Sequence, residues 1–310
     1  MIVVERAPPY LTIQDAGRFG YRSSGVPPAG AMDQWSLARA NLFIGNQPGS
    51  AALEWAIGGG SLRFEHDTTV GLAGAEIDAV LDVEPVRGSG LLEIPSGQTL
   101  IVRGITARRF LYLAVRGGIH CPVVLGSRST YLPAGFGGFE GRRLRSGDVL
   151  RVGETTSPQR HRDHREELWG NGAPDYDAIT IRVIARSSDM IEQRHREGGS
   201  DGDAELFARF IDRTYTVSAA SDRMGYRLET GEPLDGTGAS ITSEPVCPGT
   251  IQLTPSGQPI VLMADAPTIG GYRIIGTVIS RDLPIVAQAS PGRTLRFEGI
   301  SVRDAQAILG

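Results

Sequence analysis

Thr12-Ile13-Gln14-Asp15-Ala16-Gly17-Arg18-Phe19-Gly20-Tyr21-Arg22 has a counterpart late in the chain, Thr216-Val217-Ser218-Ala219-Ala220-Ser221-Asp222-Arg223-Met224-Gly225-Tyr226-Arg227. Two further landmarks recur in the same order. Pro95-Ser96-Gly97-Gln98 before TLIV matches Pro255-Ser256-Gly257-Gln258 before PIVL, and Arg145-Ser146-Gly147-Asp148-Val149-Leu150-Arg151-Val152 matches Ser290-Pro291-Gly292-Arg293-Thr294-Leu295-Arg296-Phe297. Ordered self-similarity of this kind marks a duplicated domain. A chain of 310 residues is long enough for two domains, each with its own core. The expected division is residues 1–152, a polar linker at 153–178 (TTSPQRHRDHREE, then GNGAPD), and 179–310.

Both halves read as mainly β. Residues 100–102, 110–115, 179–184, 260–263 and 274–279 are short apolar runs rich in β-branched residues. With 41 glycines and 19 prolines, their spacing suits barrels or sandwiches. Helices are few. Asp33 caps one expected to run to about Ile44, with Trp35, Ala38 and Leu42 on its buried face and Gly45 as the stop. Asp203 caps another to about Asp212, burying Leu206, Phe207, Phe210 and Ile211, and a short helix follows from about Val302. The polar stretch 192–202 (EQRHREGGSDG) reads as a loop inside the second half.

Composition excludes several function classes. A net charge of −4 leaves no basic footprint for nucleic acid. The N-terminal residues do not read as a signal peptide and no apolar run is long enough for a membrane span, so a cytoplasmic protein is expected. Cys121 and Cys247 lie far apart and form no CxxC pair, which fits a reducing compartment. All 31 basic residues are arginine. Without lysine the chain has no acceptor for covalent biotin, no Schiff-base amine and no P-loop cation. ATP or biotin chemistry would therefore draw its lysine from a partner.

Metal and nucleophile signatures are absent from the sequence. His161 and His164 sit in the arginine-rich linker, and His66, His120 and His195 stand apart, so no metal site is expected. No GxSxG elbow is present, and Cys247 before Pro248-Gly249 reads as a small buried or turn residue. What remains is polar side chains in glycine-rich turns flanking strands. In the first half these are Gln14, Arg18, Asp33 and Glu54. In the second they are Ser221, Asp222, Arg223, Gln252, Asp265, Thr268, Gly270, Gly271 and Tyr272. The structural reading is that Asp33 caps a helix while Asp15 and Asp222 tie turns. The stretch from Met263 to Tyr272 resists that reading most. Asp265 leaves the apolar run IVLMA, and a carboxylate at the edge of a core is costly unless hydrogen-bonded or used.

LTIQDAGRFGYRSSGVPPAGAMD and Leu53-Glu54 in the first half, with SDRMGYRL, SEPVCPGTIQL, PSGQPIVLMADAPTIGGY and AQASPG in the second, carry a family resemblance. Over nearly its whole length the sequence resembles the family called KipA, allophanate hydrolase subunit 2 or the C subunit of 5-oxoprolinase, and is similar to the carboxyltransferase region of urea carboxylase. The resemblance implies tandem cyclophilin-like β-barrel domains and two partners: a subunit-B-like (KipI-type) protein and the A subunit of 5-oxoprolinase. It implies a complex that cleaves 5-oxoproline to glutamate with ATP, or, as a rival, carboxyl transfer from partner-borne carboxybiotin to urea or another amide. A third reading is a regulatory protein that binds a subunit-B-like kinase inhibitor. The small-molecule amide is expected in the second half. There Arg223 would hold its carboxylate, Asp265 would serve as base or N–H acceptor, and the Gly270 and Gly271 N–H groups would stabilise the oxyanion. Ser221, Asp222, Gln252, Thr268 and Tyr272 would line the site. Gln14, Asp33 and Glu54 would rather support the fold or the domain junction, with Gln14, Arg18, Asp33 and Glu54 as the candidate first-half contributors to the site. Arg273 stands where the family usually has proline, Thr254 in a turn that is often proline-rich, and Phe19 where a smaller residue is common.

Overall fold

The computed structural model describes residues 1–86, 88–153, 172–186, 202–234 and 240–309. Contacts divide the chain into two compact units: Met1–Tyr21 with Pro28–Asp163, and Arg22–Pro27 with His164–Gly310. Each is built on one barrel-like sheet. Most of the stretch read as a linker, the stretch read as a loop at 192–202 apart from Gly202, and His161, His164 and His195 fall outside the described residues.

In the first unit the central path runs β2 (Tyr10–Gln14), β3 (Ala52–Ala56), β8 (Thr99–Val115), β4 (Gly60–Phe64), β1 (Ile2–Arg6), β10 (Val149–Val152), β9 (Ile119–His120). β5 (Thr68–Leu81) pairs with β8 along most of its length and carries β6 (Glu84–Pro85) and β7 (Gly90–Ile94) on its other side. The two apolar runs read as separate strands, 100–102 and 110–115, are the ends of the single strand β8. The intervening residues 103–109 interrupt the apolar run with Arg103, Thr106, Arg108 and Arg109, they lie where the β5–β8 register shifts repeatedly, and Arg108 adopts a left-handed φ of 66°.

β2 and β3 are buried on both faces. Leu11, Ile13, Leu53 and Trp55 join the core with Phe64, Leu111 and Leu113. By strand alternation Thr12, Gln14 and Glu54 point to the opposite face. Helix α1 (Gln34–Phe43) covers this side, packing on β5 and β8. Asp33 caps it as expected, accepting the Ser36 N–H at 2.9 Å. The expected inner face needs correction. Ser36, Leu37, Ala38, Ala40 and Asn41 are buried, whereas Trp35 and Leu42 are only partly so. The helix fits because β5 offers no side chain under Ala40.

The second unit closes on itself. β11 (Thr180–Ala185), β18 (Thr294–Gly299), β12 (Thr214–Val217), β13 (Gly225–Glu229), β16 (Pro259–Leu262), β15 (Thr250–Leu253) and β17 (Ile269–Val278) form a ring completed by β17 pairing with β11. Closure removes the exposed edges that a seven-stranded sheet would otherwise present. Among the described strands of this unit, β14 (Ser240–Pro245) alone lies off the ring, paired to β17. Helix α2 (Gly202–Ile211) contacts β17 and β18 and buries Leu206 and Phe210, with Phe207 and Ile211 only partly covered. Phe210, Tyr215 and Phe297 pack with ring centroids 4.7–5.6 Å apart. Asp203, expected as a cap, instead receives Arg273 through Nε and Nη2 at 2.9 and 2.8 Å. A short helix missed in the sequence, α3 (Leu283–Ala287), precedes β18, and α4 (Val302–Leu309) forms the expected terminal helix.

A methyl group on Gly71 of β5 would sit 1.9 Å from the Ala40 carbonyl oxygen of α1, a backbone atom that cannot rotate away. Gly71→Ala should therefore force α1 off the sheet and cost about 3 kcal/mol or more. Urea denaturation followed by circular dichroism measures the loss. Wild-type stability would show that α1 does not seat on β5 as described.

Candidate functional site

The first unit places its sequence-predicted polar residues in one buried layer. The register aligns Thr12, Glu54 and Tyr112 across β2, β3 and β8. Glu54, with no exposed surface, accepts the Met32 N–H at 2.9 Å and the Tyr112 hydroxyl at 2.7 Å through Oε2. The same hydroxyl accepts the Asp33 N–H at 2.8 Å. One carboxylate and one phenol thus fasten the start of α1 to the sheet. Burial pushes the Tyr112 phenol well above its ordinary value of 10, and the Glu54 and Asp33 charges add to the effect. A phenol whose folded pKa exceeds its unfolded one stabilises the fold below about pH 10 and loses that contribution as pH rises further.

Asp15 ties loops, as its turn position suggested. Its Oδ1 accepts the Gly17 N–H, the Ser127 hydroxyl and the Ser129 hydroxyl at 2.8, 2.6 and 2.5 Å, and its Oδ2 accepts the Arg128 N–H. Arg18 is fully buried, donates from Nη2 to the Ser129 carbonyl at 2.5 Å, and lies over the Phe136 ring. Gln14 donates from Nε2 to Thr12 Oγ1 and the Thr130 carbonyl at 3.1 and 3.2 Å. Tyr112, Thr130, Ser129 and Phe136 were missed in the sequence. Tyr112 is hidden inside the apolar run FLYLAV, and only the strand register reveals it beside Glu54.

In the second unit the residues fall into two local groups. The turn 218–224 precedes β13, and the turn 263–268 joins β16 to β17. Asp265 N–H donates to the Arg223 carbonyl at 2.9 Å and Met263 N–H to the Met224 carbonyl at 3.1 Å, so the turns run side by side. Across them Arg223 Nε and Nη2 grip Asp265 Oδ2 and Oδ1 at 2.9 and 2.8 Å, both side chains being more than 90% buried. From the sequence these residues were expected to hold separate roles, anchor and base. The structure commits the fork of one to the carboxylate of the other, because a buried charge is held most cheaply by its opposite. Ser221 accepts the Arg227 N–H at 3.0 Å, and Asp222 accepts the Met224 and Gly225 N–H groups, both closing the first turn.

Gln252, Gly270 and Tyr272 form the second group. Gln252 is 3% exposed and donates to the Tyr272 carbonyl at 3.3 Å. A β-bulge between Ile251 and Gln252 in the β15–β17 pairing re-aims this part of the strand. Gly270 and Gly271 were expected in a turn offering N–H groups to an oxyanion. They lie instead within β17, Gly270 opposite Glu244 of β14. Glycine at 270 leaves room for the Gln252 amide, since a Cβ there would stand 2.5 Å from Gln252 Nε2 and the side chain would have to shift. Thr268 is buried and its carbonyl accepts the Val246 N–H, while Tyr272 remains 39% exposed. Arg273 adds no free charge here, since it is paired with Asp203. Among the described residues no group of His, Cys, Asp or Glu is placed to hold a metal ion, and no helix is long and apolar enough to cross a membrane.

The Arg223–Asp265 pair and the two thiols each lend themselves to a direct test. Asp265→Ala removes the bidentate carboxylate from a buried guanidinium and should cost about 3–5 kcal/mol, whereas Arg223→Met with Asp265→Leu should lose far less. Equal losses in denaturant melts for the single and double variants would mean the pair is not coupled. Burial raises the Cys121 thiol to about 11, while Cys247 is exposed. At pH 8 a chromogenic disulfide reagent should therefore titrate one thiol in the folded chain and two after unfolding. Two fast thiols in the native protein would contradict this.

Known proteins share this architecture. The family profile for the carboxyltransferase domain, subdomain A and B, matches residues 24–299. The C subunit of the 5-oxoprolinase of Escherichia coli K12 is 36% identical, the alignment covering 98% of this chain and 93% of that protein. The crystal structure of the K. lactis urea amidolyase superposes with a TM-score of 0.82 at 27% identity, over 98% of this chain but 19% of that one. The protein designated TTHA0988 superposes with a TM-score of 0.78 at 30% identity, over 96% of this chain and 55% of that one. The chain belongs to the carboxyltransferase-domain family, subdomain A and B, with the 5-oxoprolinase C subunits among its full-length relatives.

Proposed function

We propose that this chain is the C subunit of an ATP-dependent 5-oxoprolinase, working with a subunit-B-like (KipI-type) protein and the A subunit to open 5-oxoproline to glutamate in the cytoplasm. The observation that carries the reading is the end-to-end similarity to the C subunit of the E. coli enzyme, which leaves little of either protein unmatched. The absence of lysine supports a division of labour. ATP is handled by the complex, and a phosphate-binding lysine comes from one of the partners.

The second unit supplies the amide site in this proposal. Arg223 and Asp265 act as a pair that fixes the two turns at the site's edge. In this reading Gln252, whose Nε2 donates to the Tyr272 carbonyl, reads the amide, with Thr268 and Tyr272 as further members of the site. A second reading, carboxyl transfer from a partner's carboxybiotin to urea, draws on the fold match to urea amidolyase, but this chain corresponds to only 19% of that protein.

The deciding experiment mixes the purified chain with candidate partners and follows ATP-dependent loss of 5-oxoproline. Turnover should require the whole complex, and the chain alone should neither hydrolyse ATP nor carry biotin. Gln252→Leu should lower turnover by about 10-fold or more by removing a polar contact to the substrate. Carboxylation of urea that depends on bicarbonate and a biotin carrier, with no consumption of 5-oxoproline, would replace this reading with the second.

A further inference from the structure

Ile57, in the turn between β3 and β4, holds a backbone conformation that its own side chain opposes. Its φ is 64°, in the left-handed region, where a β-branched residue is an outlier. Burial does not offset the strain, since Ile57 is 59% exposed. Glycine or asparagine would suit the same backbone. The turn has little room to relax. Trp55 Nε1 donates to the Gly58 carbonyl at 3.1 Å. A Cβ at Gly58 would stand 3.0 Å from Pro9 Cδ, one at Gly59 2.4 Å from the Arg103 carbonyl oxygen, and one at Gly60 2.5 Å from the Arg6 carbonyl oxygen. The turn is thus seated on three neighbouring segments and holds an isoleucine toward solvent. Strain kept in an exposed apolar residue is a sign of a role beyond the fold.

The segments that seat the turn also carry positive charge. Arg6 ends β1 and Arg103 lies in β8, while Arg143 donates to the Pro9 carbonyl at 3.2 Å and lies over the Tyr10 ring. All three arginines are exposed. The carboxylates nearby are engaged elsewhere, Glu5 with Arg63, and Glu140 and Asp148 with Arg142. Among the described residues no carboxylate pairs with Arg6 or Arg143. Asp78 comes only within 3.6 Å of Arg103, both side chains being more than half exposed, so it offsets that charge weakly. We infer that the Ile57 turn and Pro9, rimmed by Arg6, Arg103 and Arg143, form a docking surface for a different protein chain, one whose matching face holds an apolar pocket edged by Asp or Glu. An apolar centre within a polar rim is the anatomy of a protein–protein contact, and charges across such contacts are complementary. A second copy of this chain meeting the same face would set arginine against arginine. A nucleic acid would leave Ile57 unused. In the proposed complex the partner is the subunit-B-like protein. That identification rests on the proposed function; the surface does not.

Biolayer interferometry of the purified chain against the purified subunit-B-like protein, with thermal melts of each variant, tests the surface. Ile57→Asn suits the left-handed backbone and removes the apolar anchor. It should melt no lower than the wild type and yet bind at least about 10-fold more weakly. Arg6→Gln combined with Arg143→Gln should slow association and flatten its dependence on ionic strength. Undiminished binding by Ile57→Asn, salt-independent association of the wild type, or no binding by the wild type would each overturn the inference. If Ile57→Asn does not fold, the double arginine variant decides alone, and an unchanged association rate overturns it. Unchanged binding by both variants in a complex that consumes 5-oxoproline would remove this surface and leave the proposed function standing. Weakened binding by both, in a complex that does not consume 5-oxoproline, would keep the surface and remove the function.

Discussion

A carboxylate with no exposed surface, Glu54 on β3, is the constraint around which the first unit is arranged. Such a group is tolerated only if its lone pairs are filled. Glu54 fills them from two directions, with the Tyr112 hydroxyl across the strand ladder and the Met32 backbone just ahead of α1. The consequence reaches beyond the bond. Met32 and Asp33 are fixed, so the Asp33 cap is aimed and the helix starts where Gly71 leaves room for Ala40. The apolar core on the other side of the same strands needs none of these groups. The polar layer therefore specifies which way the covering elements dock, while Leu11, Leu53, Trp55 and their neighbours supply the burial that stabilises the sheet.

The second unit meets the same problem with a different device. Its barrel is closed by hydrogen bonds around the ring, and the turns beyond the strands are held by the Arg223–Asp265 fork. Arg18 and Arg223 are related by the internal repeat and both are buried, yet one donates to a backbone carbonyl and stacks on Phe136 while the other takes a carboxylate. The repeat keeps the arginine in the sequence, while its partners in the structure differ. That divergence is chemical information.

Much of this was legible in the residues. The ordered landmarks announced tandem β units, and Asp33, Asp15 and Asp222 read correctly as a cap and turn ties because the Ser36, Gly17 and Met224 N–H groups they accept lie within three residues, whereas the bonds of Asp15 to Ser127, Arg128 and Ser129 are long-range and were not read. What the sequence did not show is the pairing of distant residues and the course of long strands. Asp265 and Arg223 are 42 residues apart, and nothing in their neighbourhoods states that each is the other's counter-ion. The continuity of β8 was hidden because its middle is polar and bulged, which breaks the alternation on which strand recognition relies. Gly270 and Gly271 look like a turn because glycine pairs usually are one. Here Gly270 makes room for a neighbouring side chain inside a strand, which only the position of Gln252 explains.

The two buried glutamines make the remaining point. Gln14 ends β2, Gln252 lies in β15, and each is covered. Glutamine is a poor choice for filling a core, because its amide needs partners at both ends. In both places the Nε2 end is bound to a backbone carbonyl, Thr130 in one and Tyr272 in the other, so the orientation of the amide is set by the main chain and not by packing. A side chain oriented in this way presents its oxygen at a defined point at little further entropic cost. Amide recognition needs such a point, since the lone pair and the N–H it meets must be aligned before they come together. A fold that fixes glutamine amides through its own backbone sets the direction of their oxygens without bringing a further charge into the buried layer.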